Sequence, residues 1–161
     1  MTLEQLNAAD SEIARAALLR CCGSQRWADS MLVRRPFENH DALHALAESI
    51  WWTLDPPDWL EAFSVHPKIG DKKRAGKWSS DEQSGIDGAQ AAVLARIAKA
   101  NEDYERRFGW VFLVNATGRT AADILACLET RLPNDKATEL RVAAGEQAQI
   151  TALRLDKLMC E

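Results

Sequence analysis

The chain has 161 residues, 47% apolar and 27% charged, which is enough for one real core and too little for a second full domain, so 1–161 is expected to form a single domain. No apolar run approaches the length of a bilayer span, and the opening MTLEQLNAADSEIARAALLRCC carries acids where a secretory leader carries lysines, so a cytoplasmic protein with no membrane role is expected. A net charge of −4 argues against a general nucleic-acid binder and leaves room for a local basic site.

In chain order the pattern is helical almost throughout. Ile13, Ala17 and the stretch from Leu18 to Cys21 recur at helical spacing, and a second segment runs from Ser24 to Val33 with Trp27 and Met31 until RRPF stops it; these two short helices are expected to begin the fold. Asp41 can cap the next helix, whose stripe of Leu43, Leu46, Ala47, Ile50 and Trp51 ends at LDPP. A short helix with Trp59 and Phe63 follows. Trp27, Trp51, Trp52 and Trp59 are assigned to the core, because their surroundings are apolar and helical.

Ser79 opens a capping box with Glu82, and a long helix follows in which Ile86, Ala89, Val93, Ile97, Ala100 and Tyr104 keep spacings of three and four until Gly109. Gly85 and Gly88 weaken its first turns or allow close approach there. WVFLV is the one β-branched apolar run, and without a partner run it reads as an extended segment rather than a sheet. A second box from Thr120 to Asp123 opens a helix with Ile124, Leu125, Leu128 and Leu132 that ends at Pro133, and a last long helix runs from Asn134 or Asp135 to the C-terminus. The fold expected is all-α, a bundle of about seven to nine helices with no substantial sheet.

Cys21, Cys22, Cys127 and Cys160 contain no CxxC pair and read as reduced thiols. His40 and His44 share a helix face but have no cysteine nearby, so no metal is expected. The most unusual stretch is SVHPKIGDKKRAGKWSSDEQ. Pro67 biases His66 to an extended backbone and Gly70 permits a turn, so the imidazole can be held in a fixed place. With an ordinary pKa of about 6.5, His66 is suited to move a proton near neutrality; it could equally cap a helix or satisfy a carbonyl. Glu82 and Gln83 sit at a helix start that favours an anion, with Ser79 and the cations Lys68, Lys72, Lys73, Arg74 and Lys77 close in sequence. The plain alternatives are a cap and a solvated basic loop. Arg154 shares a stripe with Ile150 and Leu158, an awkward place for a charge unless a carboxylate pairs with it or the side chain snorkels to water. No Gly-rich phosphate loop or nucleophile motif is present.

Taken together, RPF at Arg35–Phe37, HPKIG at His66–Gly70, SSDEQ at Ser79–Gln83, NEDYERRFG with FLVNATGRT, and the late QITALRLDKL resemble the 2-oxo-4-hydroxy-4-carboxy-5-ureidoimidazoline (OHCU) decarboxylase family in order and spacing over nearly the whole chain. One departure lies at Trp110 and Val111, where the family more often has a Phe-Pro pair. The resemblance implies an all-α fold, commonly a homodimer, that converts OHCU to (S)-allantoin and carbon dioxide in uric acid degradation, with no cofactor. By position, His66, Glu82 and Arg154 match the family's catalytic residues, and Pro67, Ser79 and Gln83 line the same pocket. Leu113, Val114, Asn115, Ala116 and Thr117 correspond to a stretch that offers the substrate mostly backbone contacts. Two other readings compete: a related lyase acting on another ureido acid, and a non-enzymatic helical module that binds RNA or an acidic protein through the basic loop and Trp78.

Overall fold

The computed structural model describes residues 1–69 and 91–161. Within them are eight α-helices and no strand: α1 (Leu3–Ala8), α2 (Ser11–Cys21), α3 (Gln25–Leu32), α4 (His40–Thr53), α5 (Pro56–Ser64), α6 (Ala91–Phe108), α7 (Ala121–Arg131) and α8 (Lys136–Met159). The all-α expectation holds. The expected Ser79–Glu82 capping box and the first turns of the long helix, with Gly85 and Gly88, lie outside the described residues. The helices group into two compact units, Met1–Ala62 with Gln147–Glu161, and Phe63–Glu146.

In the first unit the chain starts one helix earlier than its periodicity predicts. Six residues are too few to show an apolar repeat or to hold a helix alone; α1 exists because both of its ends are secured. Thr2 and Gln5 form a reciprocal capping box, with 2.7 Å from the Thr2 N–H to Gln5 Oε1 and 3.2 Å from the Gln5 N–H to Thr2 Oγ1. At the other end Arg35 Nη1 donates to the carbonyls of Leu6 at 2.8 Å and Ala9 at 2.7 Å, the open acceptors of a helix C-terminus. Asn7 then takes both backbone groups of Phe37, donating from Nδ2 to its carbonyl at 2.9 Å and accepting its N–H at 2.8 Å. The RPF stretch that ends α3 is therefore also the fastening of α1.

Three further details correct the sequence reading. In α2 the buried face is Ala14, Ala17, Leu18 and Cys21, and Ile13 is exposed, because the small alanines turn inward. Asn39 rather than Asp41 caps α4: its extended backbone lets Oδ1 accept the Ala42 N–H at 2.8 Å, while Asp41 is already inside the first turn, facing the positive end of the helix dipole. Trp27, Trp51 and Trp59 are core, with indole N–H bonds of 3.0 Å from Trp27 to the Ala47 carbonyl and from Trp59 to the Trp51 carbonyl. Trp52 is 39% exposed and meets Trp59 edge-on, since it lies on the other side of α4 from Trp51's stripe.

In the second unit the predicted stop at Gly109 and the predicted start at Thr120 hold. Gly109 follows α6 with φ +89, a conformation that side chains resist, and Gly118 does the same in the NATGRT turn with φ +73. Thr120 and Asp123 close the predicted box on α7 at 3.0 and 3.1 Å. Asp135 caps α8, accepting the Thr138 N–H at 2.9 Å. Hydrogen bonds to backbone N–H and to Thr side chains hold the carboxyls of Asp123 and Asp135 below their ordinary range.

Candidate active site

His66 follows α5 by one turn, with its N–H donating to the Phe63 carbonyl at 3.1 Å and only 7% of the residue exposed. Pro67, beside it, is buried. The neighbourhood is aromatic and ionic: Phe63 packs against Trp110 with ring centres 6.3 Å apart, and Lys68 pairs with Glu105 of α6 at 3.2 Å. A buried imidazole held after a helix by its own backbone bond and a following proline is a suitable carrier for one proton.

The run from Val111 to Ala116 is neither helix nor strand, so its backbone groups must find partners among side chains. Leu113, Val114 and Ala116 are buried, whereas Thr117 is exposed. The Leu113 carbonyl accepts from Arg131 Nη1 at 2.7 Å, and the Asn115 N–H donates to Glu146 Oε2 at 3.0 Å. Asn115 Oδ1 accepts the Thr117 N–H at 3.3 Å, closing the turn.

Behind this segment lies a buried polar network that the sequence reading missed. Glu139 is fully buried and accepts from Arg131 Nε at 2.6 Å, the Tyr104 hydroxyl at 2.7 Å and Asn134 Nδ2 at 3.0 Å. The Tyr104 oxygen in turn accepts from Trp110 Nε1 at 3.0 Å. Arg131 also lies over the Phe112 ring, 4.5 Å from its centre. Burial works to lower the Arg131 pKa, but the hydrogen bond to Glu139 and the charges of Tyr104 and Glu139 outweigh it, so the guanidinium stays charged. Burial, reinforced by the bond to Glu139, pushes the Tyr104 phenol up, so it remains a donor. The signal available in the sequence was the one that drew notice to Arg154: Arg131 follows Ile124 and Leu128 on an apolar stripe. The indole of Trp110 is the donor that completes the network, and a phenylalanine in its place would have none.

Arg154 belongs to the first unit, on α8, and is 6% exposed, so it does not snorkel to water. Its charge reaches the thiols of Cys21 and Cys22. Burial nevertheless raises Cys21 to about 12, and it raises Cys22 to about 11 against hydrogen bonds with Ser24 and Thr151. Both therefore stay protonated. One turn before Arg154, Thr151 Oγ1 accepts from Gln147 Nε2 at 3.0 Å, so this face of α8 is a buried polar stripe. His44 Nε2 lies 2.9 Å from Asp156 Oδ1.

Of the predicted site residues, His66, Pro67 and Leu113–Thr117 fall in one unit and Arg154 in the other. Ser79, Glu82 and Gln83 lie outside the described residues, as does the basic run from Lys72 to Lys77.

A family model for OHCU decarboxylase matches residues 7–156. The uric acid degradation bifunctional protein TTL of Arabidopsis thaliana is 36% identical over 149 residues, covering 88% of this chain and 46% of that protein. The 2-oxo-4-hydroxy-4-carboxy-5-ureidoimidazoline decarboxylase of Halalkalicoccus jeotgali is 26% identical over 161 residues, covering 98% of this chain and 92% of the relative. This chain spans less than half the length of the bifunctional relatives it matches. Among solved structures, a crystal structure of OHCU decarboxylase in the presence of (S)-allantoin is similar with a TM-score of 0.80 at 34% identity, covering 95% of this chain and 100% of that one.

Proposed function

The chain belongs to the OHCU decarboxylase family, and from that membership we propose that it converts OHCU to (S)-allantoin and carbon dioxide as a step of uric acid degradation. The observation that carries the reading is the likeness, over nearly the full length of both chains, to an OHCU decarboxylase crystallised in the presence of (S)-allantoin. His66 beside Pro67 and Arg154, the residues to which the reading gives proton delivery and carboxylate binding, are both buried. One catalytic domain, a homodimer and a cytoplasmic location belong to the same proposal.

In this reading the bond from the ring to its carboxyl carbon breaks and carbon dioxide leaves. The electron pair forms a double bond to the neighbouring ureido-bearing ring carbon and passes onto the ring nitrogen, which takes up a proton. The hydroxyl then gives up its proton to become the ring carbonyl as a proton adds to the ureido-bearing carbon, the stereocentre of the product. The ring is its own electron sink, so the chemistry calls for no organic cofactor or metal. Arg154 positions the departing carboxylate through its planar fork, Glu82 holds the substrate hydroxyl, and His66 delivers the proton to one face. The backbone of Leu113–Thr117, with Pro67, Ser79 and Gln83, lines the pocket. Delivery from one side makes one enantiomer.

The test generates OHCU from urate enzymatically and follows its disappearance together with the circular dichroism of the product. The protein is expected to accelerate the loss of OHCU and to give a single-handed product. His66→Ala is expected to cost about 100-fold or more in rate, the usual contribution of a positioned acid or base, and to remove the enantiomeric excess. An unchanged rate and an unchanged dichroism would refute the assignment of His66.

A further inference from the structure

We infer that Glu146, together with the Arg131–Glu139 pair, is a positioning device that fixes the backbone of Leu113–Thr117 for substrate binding. The inference rests on the functional reading above, which places this segment against the substrate. Glu139 and Glu146 are seven residues apart on α8, two helical turns, and therefore face the same way. One carboxylate acts through an intermediary: Glu139 holds Arg131 at 2.6 Å, and Arg131 holds the Leu113 carbonyl at 2.7 Å. The other acts directly, taking the Asn115 N–H at 3.0 Å. Val114 lies between the two fastened residues, so the direction of its peptide groups is set from both sides.

The chemistry of this arrangement exceeds what packing requires. A buried ion pair adds little stability over apolar side chains of the same volume, because desolvation cancels most of the attraction. Its distinctive product is direction: the planar guanidinium is gripped by Glu139 and laid on the Phe112 ring, which leaves one N–H aimed at a single carbonyl. A segment without a strand partner has no ladder to set its register, and these side chains take the place of the ladder. A binding surface made of backbone groups gains its selectivity from such rigidity, since a floppy segment would have to be ordered each time a ligand arrives.

The test uses Glu146→Ala and Glu146→Gln in the full chain, because Glu146 is only partly buried and its loss leaves the ion pair intact. In the OHCU assay Glu146→Ala is expected to raise KM about tenfold with kcat nearly unchanged, since a fastening that serves ground state and transition state alike affects binding uniformly. Glu146→Gln, which keeps an acceptor oxygen for the Asn115 N–H, is expected to recover most of that loss. In amide hydrogen exchange Asn115 should be protected in the wild type and in Glu146→Gln, and exchange faster in Glu146→Ala. A fall in kcat at constant KM would mark a merely structural role and overturn the inference, as would a KM within twofold of wild type in an active Glu146→Ala protein. A wild-type protein that does not turn over OHCU would overturn the functional reading and with it the purpose assigned to the device. Asn115 protection reports separately whether the fastening itself exists.

Discussion

In the first unit, Asn7 holds the backbone of Phe37 with a neutral amide at 2.9 and 2.8 Å; in the second, the backbone of Leu113 is held by a guanidinium whose counterion is fully buried. Both fasten a non-helical stretch to a helix through side-chain bonds to main-chain groups. The difference lies in what happens when one partner goes. A neutral amide leaves behind polar groups that water can reach, because Asn7 is only partly buried, whereas removing Arg131 strands a carboxylate out of reach of solvent. The charged fastening is thus the more directional and the more fragile of the two.

The largest effect should come from Arg131→Met, expected to cost about 3–5 kcal/mol by leaving Glu139 unpaired. Denaturant unfolding measures it. Replacing Glu139→Leu in the same protein should recover more than half of the loss, and the comparison breaks if it does not. Next, Asn7→Ala removes two net-weak bonds and should cost about 2 kcal/mol, lowering Tm by roughly 4–8 °C. A loss as large as that of Arg131→Met would mean that charge is not what separates the two regions. The smallest effect is expected from Trp110→Phe, about 1 kcal/mol, since the phenyl ring can keep the stack on Phe108 and only the bond to Tyr104 is lost. A thermal melt resolves that change, and a neutral outcome would place the indole donor outside the network's energetics.

Much of the architecture was legible because it is written locally. The cap at Thr120, the stops at RRPF, Gly109 and Pro133, and the stripes of α4 and α6 are short-range signals, and each element they predict is present among the described residues. Helix α1 was missed because six residues show no apolar repeat: its Thr2–Gln5 box is a local signal, but the fastening at its other end comes from Arg35 and Asn7 across about thirty residues of chain. Ile13 misled for a related reason: a large apolar side chain outweighs an alanine in a sequence pattern, although packing chose the alanine. In the site, His66 and Arg154 stood out as polar residues in apolar or constrained settings, and burial agrees with that reading. Arg131, Glu139 and Glu146 did not stand out. Arg131 carried the same mark as Arg154, a charge on an apolar stripe, but Glu139, which it meets only when α7 and α8 fold, looks in sequence like an ordinary helix-surface charge.

The spacing of the two carboxylates along α8 also limits how the chain can vary. An inserted or deleted residue between Glu139 and Glu146 turns one of them by about 100° about the helix axis relative to the other. Either change would swing a carboxylate away from the strip of main chain it serves, however conservative the inserted side chain. Side-chain size has room at Gly145, where an added Cβ meets nothing within 4 Å, and none at the fully buried Ala143 and Ala144, while the count of residues in the stretch is fixed by rotation.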